Sequence, residues 1–229
     1  MQKEFKVLDR GVLRLVDFMG GDNAVVQAAR VSFGQGTKGE EKDRKLIHYL
    51  IRNAHETPFE QAVFKFHVKC PIFVARQWFR HRWASYNEIS GRYTEMTHEF
   101  YLPQKFRTQE KKNYQYADLD EKVSQKWNQR LQEFYENTYQ LYEDMLSDGV
   151  AKEQARIVLP LALYTQFYWA VNARSLMNFL KLRTDVHAQY EIRAYAYIIE
   201  EIFKEKMPWT YEAFREHILK KSAKAEMKQ

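Results

Sequence analysis

Residues 63–93 read VFKFHVKCPIFVARQWFRHRWASYNEISGRY. Phe64, Phe66 and Val68 alternate strictly with Lys65, His67 and Lys69. Period-two alternation puts the apolar residues on one face and the charged ones on the other, so this segment is expected to be a half-buried strand. Pro71 then opens a helix expected from Ile72 to about Arg80, with Ile72, Ala75, Trp78 and Phe79 apolar. Cys70 ends the strand in phase with the buried phenylalanines and reads as a small core residue rather than a nucleophile. Beyond the helix the chain turns polar but keeps spending aromatics.

Working outward from this stretch, Phe5 to Phe18 reads as strand, turn, strand, with imperfect alternation over Val12–Phe18. Asp22 is placed to cap a short helix through Ala29. A helix is expected over Glu40–Asn53, with Leu46, Ile47 and Leu50 inward. His55-Glu56-Thr57-Pro58-Phe59-Glu60 has the spacing of a capping box, Thr57 to Glu60, with Pro58 at the first helical position. Residues 103–120 are polar and read as a mobile loop.

Glu121–Asp148 is a long amphipathic helix with Trp127, Leu131, Phe134, Thr138, Leu141 and Met145 on one stripe, stopped by Gly149. A short helix over Ala151–Leu159, a strand over Leu163–Val171 and helices over Arg174–Leu182, Val186–Met207 and Tyr211–Leu219 complete the chain. In the second-last of these, Ala188, Ile192, Tyr195, Ile199 and Phe203 align. With no linker and no repeat, residues 1–219 are expected to form one α+β domain, and 220–229 a basic flexible tail.

The 229 residues include 15 Phe, 15 Tyr and 5 Trp, enough for a sizeable core. One cysteine excludes an internal disulfide and a Cys-rich zinc site. No apolar run is long enough to cross a bilayer, and the first residues, MQKEFKVLDRG, have no apolar signal-peptide region. A cytoplasmic protein without membrane partners is expected. The net charge of +6 suits anionic ligands without demanding nucleic acid, and about half of the excess lies in the tail. His55-Glu56 does not continue to HExxH and no two histidines lie three to five apart, so no metal is expected.

The chemistry is concentrated in Gln77–Tyr93. Arg80, Arg82 and Arg92 offer forked donors to phosphate oxygens, and Ser90 and the Gly91 backbone can read a sugar or base edge. Glu88, one acid amid arginines, is expected to stay ionised, held by those neighbours. Ser90 has no His or Lys beside it to act as its base, so it reads as a binding residue and not a nucleophile.

Arg80-His81-Arg82, seven residues and then Ser90 resemble the RHR-x7-S signature of flavin-dependent thymidylate synthases, the ThyX family. The stretches 55–60, 87–93, 155–160, 172–179 and 182–189 are similar to that family's motifs in the same order. The resemblance implies a twisted mixed or antiparallel sheet packed with long helices. It also implies synthesis of dTMP from dUMP, with methylenetetrahydrofolate as carbon donor and FAD reduced by NADPH as hydride source. A homotetramer with active sites shared between subunits follows in the same way.

By resemblance dUMP is held by Gln77, Trp78, Phe79, Arg80, Glu88, Ile89, Ser90, Gly91, Arg92, Arg156 and Arg183. FAD falls to Thr57, Arg80, His81, Arg82, Glu88, Asn172, Ala173, Arg174 and Asn178, with His55 and His187 near the flavin or folate. Arg183 is the expected catalytic residue. A guanidinium against the uracil N3/O4 edge favours the deprotonated ring and makes C5 the better nucleophile. Without the family, Arg183 reads as a surface ion pair with Asp185.

Three rival readings lack support of this kind. A nucleic-acid-binding surface would use the same basic, aromatic stretch, but no RRM, KH or helix-turn-helix motif accompanies it. A generic flavoprotein would usually carry a GxGxxG fingerprint, which is missing. A non-catalytic helical interaction protein would leave the arginine-rich signature without a cause.

Overall fold

The structure, a computed structural model, describes residues 3–31, 36–108 and 117–220. Five strands form one antiparallel sheet in the order β1-β2-β3-β5-β4. They are β1 (Glu4–Val7), β2 (Gly11–Met19), β3 (Val63–Pro71), β4 (Ser85–Glu88) and β5 (Tyr164–Asn172). The helices are α1 (Asp22–Arg30), α2 (Glu40–Arg52), α3 (Ile72–Trp78), α4 (Glu121–Ser147), α5 (Lys152–Ala155), α6 (Ala173–Arg183), α7 (Tyr190–Lys206) and α8 (Pro208–Phe214).

The alternation in β3 does what its pattern dictates. Phe64, Phe66, Val68 and Cys70 are buried and lie opposite Val171, Trp169, Phe167 and Thr165 of β5. Trp78 of α3, Phe179 of α6 and Phe203 of α7 cover this face, with ring centroids 5.3 Å apart for Trp78–Trp169, 5.0 Å for Trp169–Phe179 and 5.9 Å for Phe64–Phe203. Each such side chain contributes about 1.5–3 kcal/mol on burial. The opposite face carries Lys65, His67 and Lys69, where Lys69 pairs with Glu99 at 2.7 Å and His67 meets Gln166 at 3.1 Å. The imperfect alternation of β2 has a cause: its register against β3 shifts between Leu15 and Asp17. A bulge there turns the following side chains over.

Several elements depart from the sequence expectation. Asp22 does not cap its own helix, whose cap position is Gly21. Its buried carboxylate instead accepts from Trp209 N at 2.9 Å, Thr210 N at 3.0 Å and Thr210 Oγ1 at 2.6 Å. It thus caps α8 from the far end of the chain, and Pro208 opens that helix, three residues before the start expected at Tyr211. No capping box forms at Thr57: residues Thr57–Gln61 make a 3-10 turn, and Glu60 pairs with Arg174. Helix α7 starts at Tyr190, leaving Ala188 in the preceding turn. The four-residue β4 was not expected; so short an edge strand leaves little periodicity to read.

The stripe expected on α4 is split. Ser124, Tyr135, Thr138 and Tyr142 are buried, Leu131 and Met145 half-buried, and Trp127, Phe134 and Leu141 are exposed at 43%, 51% and 49%. The buried tyrosines join Met96, Phe100, Ala155 and Leu163 in a second core cluster. The stop at Gly149 (φ 84°) is as expected: its N–H donates to Leu146 O at 3.0 Å and that of Val150 to Met145 O at 2.9 Å. That is the Schellman pattern.

The loop read as mobile is anchored where it is described. Thr108 N donates to Ala117 O at 2.8 Å, and Arg107 reaches buried Glu191 at 2.7 Å. Its middle, 109–116, and nearly all of the tail, 221–229, lie outside the described residues.

Candidate active site

Strand β3 runs straight into α3 and β5 straight into α6. Because the strands are antiparallel, the two helices cross the same face from opposite ends, and their C-terminal ends meet. Trp78 lies 5.1 Å from Phe179, ring to ring. On α6 the positions 173, 176, 177, 179 and 180 are buried, which turns Arg174, Asn178 and Leu182 to one outward face at i, i+4, i+8. That face, the turn 80–83 and Glu56 enclose a cleft of about 430 Å³.

The cleft is lined by Arg80, His81, Arg82, Trp83, Arg174, Asn178 and Arg183, among others. Arg183 donates from Nε to His81 Nε2 at 3.0 Å and from Nη2 to the Gln77 carbonyl at 3.2 Å. Among the described residues no carboxylate pairs with it; the sequence reading of an ion pair with Asp185 gives way to these contacts. The Asp185 carboxylate takes His187 instead, at 2.9 Å. Burial lowers the Arg183 pKa, which marks a charge partly stripped of water.

His81 is pushed down to about 4, first by burial and then by Arg183. It is therefore neutral at pH 7 and accepts from Arg183 through Nε2, so its proton sits on Nδ1. Tyr86 donates to His81 O at 2.8 Å and fixes the turn.

Arg174 is held by Glu56 at 2.8 Å and Glu60 at 2.6 Å, and lies over the Trp83 ring at 5.3 Å. Arg80 and Arg82 are exposed, and among the described residues neither has an ion-pair partner. The cleft thus presents unneutralised guanidiniums beside an exposed tryptophan.

A second group gathers at residues 88–92. Gly91 is buried, and a Cβ there would meet Arg156 Cδ at 3.0 Å and Met96 Sδ at 3.1 Å. A side chain here would have to push Arg156 and Met96 aside by a few tenths of an ångström, so glycine lets Arg156 lie close over this loop. Arg92 pairs with Glu153 at 2.7 Å, and Arg156 Nε donates to the Glu153 carbonyl at 3.4 Å. Arg92 N donates to Ser90 Oγ at 3.3 Å, and Ile89 N to Gln166 O at 2.9 Å. Glu88 is not held by arginines: Thr165 Oγ1 donates to it at 2.6 Å, and among the described residues no arginine pairs with it. Cys70 is fully buried and burial drives its thiol pKa well up, so it is no nucleophile.

The remaining sequence candidates fall elsewhere. Trp78 has no exposed surface and serves as core, so its side chain is not available to a ligand. Phe79 packs between Tyr86 and Phe167. Asn172 caps α6, accepting from Ser175 N at 2.9 Å, and Ala173 is buried behind it. Thr57, His55 and His187 are exposed and do not line the cleft; Thr57 borders a neighbouring depression with Met19 and Gln61, and His55 lies edge-on to Tyr49 at 5.7 Å.

The Gln77 amide bonds Gln189, which donates to Glu191 at 2.9 Å. Trp83, Glu56, Glu153 and Gln189 were missed as site residues. Trp83 had a signal as a tryptophan in an otherwise solvated run, and Glu56 and Gln189 lie within the motif-like stretches 55–60 and 182–189; Glu153 had none.

Unpaired guanidiniums beside an aromatic plane suit ligands that join phosphate to planar rings, so this α+β protein carries a cleft with the chemistry of a nucleotide site. Residues 14–209 match the family described as thymidylate synthase complementing protein, and the chain belongs to it. It is 59% identical over 213 residues to the flavin-dependent thymidylate synthase of Thermosipho africanus, covering 92% of this chain and 93% of that one. To an enzyme of the same description from Thermus thermophilus it is 55% identical over 216 residues, covering 93% and 78%. Among solved structures it resembles the UMP/dUMP methylase PolB of Streptomyces cacaoi bound with 5-Br UMP, with a TM-score of 0.85 and 37% identity over 93% of this chain and 96% of that one.

Proposed function

We propose that this chain is a flavin-dependent thymidylate synthase that converts dUMP to dTMP, with FAD in the Arg80–Arg183 cleft, NADPH as hydride source and methylenetetrahydrofolate as carbon donor. The observation that carries the reading is the Arg183 guanidinium. It is half-buried, oriented by neutral His81 and the Gln77 carbonyl, and unpaired with any carboxylate among the described residues. Such a group is poised for an anionic or electron-rich ring edge. The family membership and the uracil nucleotides held by the solved neighbours support the same reading.

FAD, when bound, supplies the hydride chemistry. The cleft fits such a group: Arg80, Arg82 and Arg174 would take its pyrophosphate, Asn178 and the neutral His81 its polar edges, and Trp83 offers a plane for a ring. The cluster of Ser90, Gly91, Arg92 and Arg156 would take the dUMP phosphate and sugar, and Gln77 and Arg80 would contact the nucleotide from the side of the cleft. The Ser90 hydroxyl touches only the Arg92 N–H among the described residues, so nothing activates it, and no side-chain nucleophile is required. Arg183 stabilises the N3-deprotonated uracil, which places electron density at C5.

The exposed stripe Trp127, Phe134 and Leu141 on α4 is the kind of surface a partner subunit covers, which agrees with a homotetramer whose sites are shared. The test is the visible absorbance of the purified protein, oxygen-free, before and after NADPH and with or without dUMP. A flavin spectrum that bleaches and is perturbed by dUMP is expected. A colourless protein that fails to take up FAD overturns the reading.

A further inference from the structure

Far from the cleft, a second constellation joins α2 to the end of the chain. His48 lies on α2, and Glu216 and His217 on the turn that follows α8. His48 Nδ1 stands 3.1 Å from His217 Nε2 and 3.7 Å from the Glu216 carboxylate. One ligand atom from each of the three residues lies within 4.8 Å of the others. The ligand atoms of a tetrahedral zinc site are about 3.3 Å apart, as metal–nitrogen bonds of about 2.0–2.1 Å require. The histidine pair therefore needs to move by only tenths of an ångström.

Two further observations point the same way. Residues Arg215–Leu219 are π-helical. In an α-helix successive side chains diverge by about 100°. The wider π turn reduces that angle and lets adjacent Glu216 and His217 address the same point; such turns recur at functional sites. Behind His48, the Glu212 carboxylate lies 3.8 Å from Nε2 and is itself held by Arg44 Nε at 2.7 Å. At that distance it makes no hydrogen bond to the ring, but it keeps a negative charge close to where a cation would sit.

We infer that His48, His217 and Glu216 form a site for a divalent first-row transition metal, zinc by the match of two imidazoles and one carboxylate, which clips α2 to the C-terminal π turn. Three protein ligands leave a position for water, and half-exposed Glu216 keeps the site open to solvent. The inference is independent of the thymidylate reading, since none of these residues lines the cleft.

The test uses the full-length, tag-free protein after chelator treatment and dialysis, titrated with Co2+ and then Zn2+. One Co2+ per chain with visible d–d bands, displaced by Zn2+, is expected, together with a higher unfolding temperature in Zn2+. His217→Ala and Glu216→Gln should abolish or strongly weaken binding, and Glu212→Gln, which removes only a nearby charge, should weaken it less. His98→Ala, a control at a separate His–Glu pair, should leave it unchanged. Absence of saturable binding overturns the site, as does a titration that His217→Ala and Glu216→Gln leave intact. Both changes are at partly exposed positions, and circular dichroism confirms that each variant is folded before it is titrated.

Discussion

At the scale of single residues, the proposed chemistry rests on a charged guanidinium held by a histidine that must stay neutral. Arg183→Ala should lower kcat for dTMP formation by about 10²–10³, the range for removing one preorganised electrostatic donor, while the unfolding midpoint stays near that of the parent. Arg183→Lys should recover only part, because an ammonium lacks the fork that spans His81 and Gln77. His81 gives a pH signature. Its folded pKa of about 4 lies below its ordinary value of 6.5, so the unfolded chain binds more protons between those values. Its contribution to stability is present above pH 6.5 and is lost as pH falls toward 4. Urea denaturation at pH 7 and pH 5 should show a loss of about 1–2 kcal/mol that His81→Asn removes, the figure being reduced for partial solvent screening. His67, whose pKa burial also lowers, acts in the same sense, so parent and variant must be compared.

At the scale of elements, the link between the start and end of the chain is Asp22. Its carboxylate serves the first-turn N–H groups of α8 although burial raises its pKa, so charge desolvation opposes the hydrogen bonds it accepts. Asp22→Ala orphans these donors and should cost about 2 kcal/mol in chemical denaturation. Asp22→Asn keeps an acceptor without the buried charge and should cost far less. A large loss in the Asn variant would mean that the charge itself, and not the cap, holds α8.

At the scale of the whole molecule, α4 has two apolar lines, and among the described residues only one is covered by its own chain. Tyr135 and Tyr142 close the second core cluster, while Trp127, Phe134 and Leu141 face outward. If subunits share sites, Phe134→Glu with Leu141→Glu should yield a folded but smaller species in analytical ultracentrifugation, with dTMP synthesis lost. A double variant that keeps both the parent mass and full activity would place the subunit contacts elsewhere. The second arginine cluster, Arg92 and Arg156 over Gly91, stands apart from the lining of the main cleft. This separation is what sites completed by another subunit would show.

Local pattern determined much of this protein. The alternation of Phe64, Phe66 and Val68, the span of α2 and α4, the stop at Gly149 and the pair Arg80 and Arg82 are all legible within short windows, because backbone periodicity and turn chemistry are short-range; Arg174 and Arg183 stand out only through the family resemblance. Tertiary structure alone decided the pairings. Arg183 meets His81 across 102 positions, Asp22 meets Thr210 across 188 and His48 meets His217 across 169. It also gave Glu60 to Arg174 and Glu88 to Thr165, and turned the tyrosines of α4 inward in place of its tryptophan. An amphipathic period shows that a helix has apolar sides but not which one its own core will claim. A carboxylate's partner is set by packing between distant segments, which no local window contains.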